Sequence, residues 1–490
     1  MSGTFRTPSA VPGAGALHEG LKAAYENIAY VGRPNHHSHP DRLAAIATLF
    51  GLAPPDVAGA RILEVGCGDG ANLVPIAAQW PGARLVGCDF SALLMRDARA
   101  MAEGVGVANL ALVEGDLREV AESLGSFDYI IGHGFYSWVP ADVRDAFVAL
   151  VGRQLAPGGL AFISYNVLPG GFVRRIGWDA VRIAAAGIDA PTERLAATRR
   201  QFADLAQAWS AMPGLPAHLG REYATAAERS DSSLYHDDLS GVNEAVYFST
   251  FVHHLARHQL GFLAEAEPGT MSLAGLPERM RTLAASADAL SREQYLDFAR
   301  VRRFRQSIVM RASDIARAGI TPAAVTKLHL SAVTGIVQER VAGAARSVEG
   351  PLVDFLVEAF PRSLPATDVL AMLEGHGLST DDALTTLLRG CFSGAVDLHT
   401  RPLAIVAVAG GRPRAFAVAR WQAGRGDAVT NLRHEPVRIE DAVARAVVAA
   451  CDGTRDHAAL AAVAGRHGSQ AASALPQFLE RFALAGLLEA

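Results

Sequence analysis

The sequence places an acid and three glycines within ten positions, in a pattern that can bind a nucleotide-like ligand. Residues 61–70 read RILEVGCGDG, with Glu64 two residues before the first glycine. Glycines let the backbone turn tightly and approach a ligand, because they carry no Cβ. The carboxylate of Glu64 can accept hydrogen bonds from an ammonium group or from ordered water, whereas a pyrophosphate would gain nothing from it. The pattern therefore points to a cofactor with an amino-acid end, S-adenosylmethionine.

Two acids further along the chain separate this interpretation from a dinucleotide site. Together with Ala71, the glycines also fit the GxGxxA turn that binds dinucleotides. Asp89 ends a second apolar run, where it can accept hydrogen bonds from the ribose hydroxyls of either cofactor. Asp116 follows a third run and can accept from an adenine amino group, while Leu117 packs on the ring. This third acid favours S-adenosylmethionine over NAD.

Five apolar runs, separated by turns and helical segments, must position these residues. The runs lie at residues 62–65, 84–87, 110–114, 127–131 and 160–165. Alternating strands and helices predict a doubly wound parallel sheet, in which ligands bind beyond the carboxyl ends of the strands. The predicted cofactor-binding residues are Glu64, Gly66, Cys67, Gly68, Gly70, Asn72, Asp89, Phe90, Asp116, Leu117 and His133.

The predicted sheet needs two more strands, and the sequence supplies them far downstream. Residues 260–265 and 303–311 can form an antiparallel pair, which gives a seven-stranded, Rossmann-like α/β sheet. An Ala- and Arg-rich helical insertion before this pair has the right size for a lid. The predicted division is a disordered lead (1–20), a cofactor-binding core (21–173), the insertion (174–232), completion of the sheet (233–313) and a C-terminal α+β, winged-helix-like region for substrate selection or interaction (314–490).

Composition places the chain among large cytoplasmic proteins. Half of its 490 residues are hydrophobic. No apolar run approaches the roughly 18 to 20 residues that span a bilayer, so we expect no membrane insertion. The net charge of -5 argues against a nucleic-acid partner. The four cysteines include no CxxC pair, so we expect no disulfide framework, and Cys67 and Cys88 should be buried thiols near the cofactor.

Aromatic and polar residues after the fourth and fifth strands are candidates for holding a methyl acceptor. Tyr136 and Trp138 follow the fourth strand, and Tyr165 and Asn166 end the fifth. A lysine acceptor has an ordinary pKa of about 10.4 and must lose its proton, which a dry aromatic pocket favours. His133 can donate to the cofactor carboxylate, accept a proton, or bond a backbone carbonyl. The predicted catalytic residues are Tyr136, Trp138, Tyr165, Asn166 and His133.

Two groups of histidines have spacings that metal sites use, but the sequence predicts no metal. His254 and His258 share a helical face, yet no glutamate follows His254 in the HExxH manner. His39, followed by Pro40 and Asp41, is expected to cap a helix rather than to bind an ion. Methyl transfer itself needs no metal.

Motifs outside the glycine-rich turn give the chain a family resemblance. It resembles bacterial methyltransferases with a methyltransferase regulatory domain, a group that includes rickettsial protein lysine methyltransferases acting on outer-membrane proteins. The most specific motif is the Tyr-Ser-Trp-Val-Pro segment at 136–140. The others are Ser38-His39-Pro40, His133-Gly134, Ser164-Tyr165-Asn166, Tyr235-His236-Asp237, Arg302-Arg303-Phe304-Arg305-Gln306 and Asn431-Leu432-Arg433-His434-Glu435-Pro436.

The resemblance implies methyl transfer from S-adenosylmethionine to a protein lysine nitrogen, with the C-terminal region presenting or selecting the substrate. Ala29, Ser38 and Gly171 depart from the family pattern near the expected substrate mouth, so they bear on the acceptor rather than on the methyl donor. Two alternatives remain open: a small-molecule N- or O-methyltransferase, and a non-catalytic cofactor-binding regulator. The three intact acids at the strand ends argue against the regulator.

Overall fold

The architecture is built on a seven-stranded sheet with helices on both faces. The structure is a computed structural model that describes residues 14–341 and 350–490. The strand order is β3-β2-β1-β4-β5-β7-β6. The strands are β1 (Arg61–Val65), β2 (Arg84–Asp89), β3 (Leu110–Glu114), β4 (Phe127–Gly132), β5 (Leu155–Asn166), β6 (Leu260–Glu265) and β7 (Phe304–Arg311).

The direction of the strands fixes where ligands can bind. Strands β1 to β5 pair in parallel, whereas β7 runs antiparallel to both β5 and β6. The inner strands are buried along most of their length, which is why they read as continuous apolar runs. Strands β2 and β3 lie on one side of β1, and β4 and β5 lie on the other. The direction in which strands are added therefore changes at β1, and a crevice opens at its carboxyl end. The predicted doubly wound sheet is confirmed.

Helices cover both faces of the sheet and form two hydrophobic cores with it. On one face, Leu43 and Ile46 pack with the strands, and on the other Phe147 and Phe251 do so. The helices of this part are Pro40–Leu49, Leu73–Gln79, Ala92–Val105, Leu117–Val120, Ala141–Gln154, Phe248–Arg257, Glu278–Ala285, Ala289–Arg300 and Ala312–Ile315.

The insertion is helical, as its composition predicts, and has its own small core. Phe202 and Tyr223 pack against one another in this core, with ring centroids 5.3 Å apart. Its helices are Gly170–Ala184, Pro191–Trp209, Leu215–Ala227 and Asp231–Ser233, followed by a π-helix at Leu234–Asp238.

The N-terminal segment differs from the prediction of a disordered lead over residues 1–20. Ala14–Asn27 forms a helix, while residues 1–13 lie outside the described part of the chain. The helix has a reason to form, because Ala24 packs against the core of the insertion and Leu21 and Tyr25 line a cavity. The sequence did not predict this helix, because the small residues and prolines that precede it are typical of a disordered segment.

The C-terminal region, predicted as a unit at 314–490, consists of two parts. The first packs on the main sheet, where Leu330, Leu356 and Leu387 join its core. It holds a sheet of order β10-β8-β9, made of β8 (His329–Ala332), β9 (Leu364–Pro365) and β10 (Val396–His399), and the helices Thr334–Val341, Pro351–Ala359, Ala366–Gly375 and Thr380–Ser393.

The second part has a separate core, which includes Phe416, Val447 and Phe482. It contains the hairpin of β11 (Ala428–Thr430) and β12 (Pro436–Arg438), and the helices Ala417–Ala423, Ala442–Ala450, His457–Gly465, Ser469–Ser473 and Leu475–Leu484. Among the residues that the structure describes, no helix is both long and apolar enough to cross a membrane.

Candidate functional site

A cavity of about 570 Å³ lies at the carboxyl ends of the central strands. The end of strand β1 and the following turn form its floor, and residues from the segments 21–37 and 233–237 also line it. The sequence-predicted residues that line it are Glu64, Gly66, Cys67, Gly68, Asn72, Asp89, Phe90, Asp116, Leu117, His133 and Trp138. The structure therefore brings most of the predicted cofactor residues together.

The turn after β1 has a backbone that only glycine adopts easily. Gly66 and Gly68 have φ angles of 72° and 55°, in the left-handed region. A Cβ on Gly66 would lie 2.8 Å from the ring of Phe135. Gly70 also has a positive φ, but it does not line the cavity, and a Cβ there would lie 2.9 Å from Val74. Gly70 thus serves the packing of the following helix rather than ligand contact, which corrects its predicted role.

Glu64 presents an unpaired carboxylate oxygen at the floor of the cavity. Its side chain is 2% exposed, and its Oε1 accepts a hydrogen bond from Asn72 Nδ2 at 2.7 Å. Its Oε2 is buried without a partner among the described residues. Burial raises the pKa of Glu64 to about 8, and the nearby Asp69 and Asp89 add to the effect. A buried oxygen without a donor is costly, so the site fits a ligand that brings an ammonium group.

Asn72 is held by contacts from distant parts of the chain. Its Oδ1 accepts from the backbone N–H of Asn35 at 2.9 Å and from His434 Nε2 at 2.7 Å. Its amide NH₂ must therefore face Glu64. His434 is buried, has a φ of 60°, and belongs to the C-terminal part with the separate core. Burial lowers the pKa of His434, so the ring is neutral and its proton is on Nε2.

The two acids at the ends of β2 and β3 differ in what they can offer a ligand. Asp89 accepts from the backbone N–H of Gly68 at 3.0 Å and of Ser91 at 2.9 Å, which fixes its carboxylate beside the glycine turn. Asp116 caps the helix Leu117–Val120 and also pairs with Arg118 at 2.6 Å. Asp89 is therefore oriented for ribose hydroxyls, whereas Asp116 shares its oxygens with a guanidinium.

His133 ends β4 in a polar cluster. Its Nδ1 lies 3.0 Å from Asn35 Nδ2 and 3.2 Å from Ser164 Oγ, and Asn35 also donates to Gln306 Oε1 at 3.0 Å. Burial lowers the pKa of His133 to about 4, so the ring is neutral near pH 7. The partners of His133 are thus side chains of the cavity wall and not the backbone carbonyl of one predicted role, and its other two predicted roles stay predictions.

The mouth of the cavity is aromatic with an acid beside it. The rings of Tyr25 and His236 stack with centroids 4.5 Å apart, and Tyr30 meets His236 edge-on at 5.5 Å. Phe90 meets Tyr25 edge-on at 5.7 Å. The neighbouring Asp237 also lines the cavity, and burial together with Asp238 raises the pKa of its carboxyl to about 6.

Three of the predicted catalytic residues lie in the core instead of the cavity. Tyr136 is 2% exposed and bonds His254 Nδ1 at 2.9 Å through its hydroxyl. The ring of Tyr165 stacks on Phe251 at 4.1 Å, and its hydroxyl lies 3.4 Å from Ser307 Oγ. Asn166 donates to Asn243 Oδ1 at 2.7 Å. These three predictions are corrected: Tyr136 and Tyr165 contact the helix Phe248–Arg257, and Asn166 bonds the segment before it. Trp138 and His133 remain as cavity residues.

Some cavity residues were missed by sequence reasoning. They are Tyr25, Tyr30, Asn35, Asp69 and Gln306, which come from the N-terminal segment, the glycine turn and β7. Asp69 carried a signal, because it lies inside the glycine-rich motif. Gln306 carried one too, because it ends the motif Arg302-Arg303-Phe304-Arg305-Gln306. Tyr25, Tyr30 and Asn35 carried none, since their approach depends on how the N-terminal segment folds back over the sheet.

Comparisons with known proteins agree with this geometry. Three family models match the chain: "methyltransferase domain" over residues 62–159, "predicted methyltransferase regulatory domain" over 230–311, and "PKMT, C-terminal winged helix domain" over 411–485. Protein RP028 of Rickettsia prowazekii is 30% identical over 232 residues, which cover 47% of this chain and 93% of that protein. The chain belongs to the class I methyltransferases with a regulatory domain.

Two further similarities show how much of the chain its relatives share. Protein RP789 of Rickettsia prowazekii is 34% identical over 288 residues, which cover 58% of this chain and 52% of that protein. The match thus spans about half the length of RP789. The structure of PKMT2 from Rickettsia typhi in complex with AdoHcy superposes with a TM-score of 0.83 at 20% identity, covering 94% of this chain and 99% of that one. The shared fold therefore extends over nearly the whole chain.

The predicted cofactor follows from the family and from the site. S-adenosylmethionine carries an ammonium group, ribose hydroxyls and an adenine, and Glu64, Asp89 and Leu117 all line the cavity, where these groups can be met. The orphaned oxygen of Glu64 is the observation that fits the ammonium end. The fold, family and cofactor predictions are confirmed.

Proposed function

We propose that this methyltransferase modifies lysine side chains of a protein substrate. The observation that carries the proposal is the cavity mouth, where the aromatic rings of Tyr25, Tyr30 and His236 stand beside the carboxylate of Asp237. A lysine side chain combines an apolar stem with a cationic head. Aromatic faces suit the stem and attract the cation, and a carboxylate suits the head. The name of PKMT2 and the match to a PKMT winged helix domain support the same acceptor class.

The charge of the cavity supports a cationic acceptor as well. Among the described residues that line it, four aspartates stand against one arginine, Arg33; the aspartates are Asp69, Asp89, Asp116 and Asp237. A cleft lined by one sign of charge attracts ligands of the opposite sign. The sulfonium of the cofactor and the ammonium of a lysine are both cations, so the negative potential of the cavity favours the binding of each.

The residues at the mouth have separate tasks in the proposed reaction. Bound S-adenosylmethionine would supply a sulfonium methyl group for in-line transfer to a nucleophilic nitrogen, and its sulfur would become a thioether. Asp237, whose pKa is about 6, is ionised at neutral pH and can hold the lysine ammonium and accept its proton. Tyr25 and the neutral His236 shield the stem from water, which lowers the pKa of the lysine. Holding the amine in line contributes further through orientation.

The C-terminal winged helix region supports selection of a protein rather than a small molecule. Residues 411–485 match a winged helix family model and pack around a core that also includes Val74 and Met101 of the cofactor-binding domain. A unit of this kind is not needed to bind a small acceptor. We therefore propose that it presents or selects the protein substrate.

The test is methylation of a bacterial lysate by the purified protein with tritiated methyl donor. The products are split into macromolecular and small-molecule fractions, and labelled proteins are digested and read by mass spectrometry. Label on lysine supports the proposal. Label confined to small molecules contradicts it and favours a small-molecule methyltransferase, and cofactor binding without any label favours a regulator.

A matched pair of variants tests the part of Asp237. Asp237→Asn should leave cofactor affinity unchanged and lower kcat about tenfold or more, because the amide cannot accept the lysine proton. Asp231→Asn, in the same segment but exposed and paired with Arg199, should retain activity. Equal kcat values for the two variants would exclude Asp237 from proton transfer.

A further inference from the structure

Away from the cofactor cavity, a carboxylate and two imidazole rings converge between two helices. Asp145 lies on the helix Ala141–Gln154, while His254 and His258 lie on and just after the helix Phe248–Arg257. Asp145 Oδ1 is 3.0 Å from His254 Nε2 and 3.4 Å from His258 Nε2. The potential ligand atoms of these three residues all lie within 4.8 Å of one another.

The two distances from Asp145 Oδ1 to the histidine nitrogens match the edges of a metal coordination polyhedron. Zinc bonds of about 2.0 to 2.2 Å at tetrahedral angles place neighbouring ligand atoms about 3.3 Å apart. Two imidazoles and a carboxylate form the mixed N/O ligand set that zinc and related transition metals take. We propose that Asp145, His254 and His258 form a binding site for a divalent transition metal of the zinc class, with water completing the coordination.

The surroundings of His254 provide the support that a ligand histidine needs. A metal on Nε2 requires the proton of the ring to be on Nδ1, and Nδ1 lies 2.9 Å from the hydroxyl oxygen of Tyr136. That oxygen can accept the proton's hydrogen bond, and it is fixed because Tyr136 is buried in the core. Ligand histidines commonly have such a partner, which sets the orientation of the ring. The side chains of His254 and His258 are 11% and 20% exposed, so solvent reaches the open face.

Arg257 competes with the metal for the same carboxylate oxygen. Its guanidinium lies 2.5 Å from Asp145 Oδ1, but its side chain is 64% exposed. An exposed ion pair of this kind contributes little, so the arginine can turn into water when a metal arrives. Because of this competition, removal of Arg257 should strengthen metal binding.

The site would connect two regions that the family models treat as separate domains. Asp145 lies in the methyltransferase domain at 62–159, and the two histidines lie in the regulatory domain at 230–311. A bound ion would thus join the regulatory helix Phe248–Arg257 to the helix Ala141–Gln154 of the methyltransferase domain. The proposal does not depend on the identity of the methyl acceptor. The sequence predicted no metal because HExxH was absent, and the third ligand comes from a helix more than 100 residues earlier.

The experiment is titration of tag-free, chelator-treated, full-length protein with zinc chloride by calorimetry, repeated with cobalt to record its absorption spectrum. The wild type should bind one ion, gain a tetrahedral cobalt spectrum and melt at a higher temperature with zinc than with EDTA. His258→Gln should lower the affinity by about tenfold or more. Arg257→Ala should raise it. His253→Gln is the matched control, because His253 is an exposed histidine of the same helix outside the cluster.

Two results would overturn the proposal. One is the absence of a stoichiometric ion in the wild type, and the other is equal affinity in the His258→Gln and His253→Gln proteins. Melting curves in EDTA show whether each variant is folded, so a loss of binding is separable from a loss of structure. Methylation is not needed as a readout, and failure of the proposed acceptor would leave this test unaffected.

Discussion

Replacing Glu64 by glutamine should stabilise the cofactor-free protein and weaken cofactor binding at the same time. Glu64 is 2% exposed and keeps one oxygen without a hydrogen bond. Because burial raises its pKa to about 8, the carboxyl is mainly protonated at neutral pH in the absence of cofactor. Glutamine has nearly the same shape and cannot ionise, so the variant removes both the pH-dependent cost of keeping Glu64 protonated and the attraction of its carboxylate for a bound ammonium.

The size of the effect on stability follows from the two pKa values. An unfolded glutamate titrates at 4.5, so above that pH the unfolded state gains a charge that the folded state resists. The stability that Glu64 contributes below pH 4.5 is lost progressively as the pH rises to about 8. At about 1.36 kcal/mol per pKa unit, the loss is about 3 kcal/mol at pH 7 and about 5 kcal/mol above pH 8. Glu64→Gln should escape this loss, and urea unfolding at pH 5, 7 and 8.5 measures it.

The effect on binding follows from the charge of the ligand. A bound ammonium stabilises the ionised carboxylate, so cofactor binding should release nearly one proton from Glu64. At about pH 6.5, below the α-amino pKa of about 7.7, the ligand itself takes up few protons. Calorimetry in buffers of different ionisation enthalpy counts the protons. The variant should lose this release and bind about 1.5 to 3 kcal/mol more weakly.

Exposed Glu122 provides the control, because Glu122→Gln should change neither quantity. Equal proton release from the wild type and Glu64→Gln would refute the placement of the ammonium beside Glu64. A difference in stability that stays constant from pH 5 to 8.5 would refute the raised pKa.

Two further predictions concern contacts that cross the fold. His434→Ala should weaken cofactor binding severalfold in calorimetry, because Asn72 loses the donor that orients its amide, and His434→Gln should recover most of the affinity. Arg305→Met should destabilise the protein by about 3 to 5 kcal/mol in urea unfolding, since Glu265 and Asp297 would remain buried without their cation. Exposed Arg317→Met is its control, and equal stability of the two variants would contradict the reasoning.

The fold was predictable because its signals are local. The runs that became β1 to β4 are apolar and bounded by turns, and each strand formed within a residue or two of its predicted place. The distant strands β6 and β7 were also found, because each follows a helical segment and has a clear apolar run. The division at 314–490 was less successful, since packing of Leu330 and Leu387 on the main sheet depends on long-range contacts.

The site was predictable where its residues lie at the end of a strand or in the turn that follows it. Glu64 and Asp89 lie at strand ends, so topology alone places them in the crevice. Tyr136 also follows a strand, but Arg144 packs on its ring, and the helix Phe248–Arg257 covers it. Sequence spacing does not tell which side of a loop a side chain faces. Tyr25 was missed for the opposite reason, because its helix lies outside the sheet and only folding over the cavity makes it part of the mouth.

The most consequential contact joins residues 362 positions apart. Asn72 Oδ1 accepts from His434, so its NH₂ is directed to Glu64 Oε1 and leaves Glu64 Oε2 free for a ligand. His434 stands in a strained backbone position next to Arg433, which is buried and paired with Asp397 at 3.3 Å. The geometry of the methyl-donor pocket is therefore completed by the C-terminal part. A change in that part can alter cofactor affinity without touching the cofactor, because the hydrogen-bonded chain transmits it to the floor of the cavity.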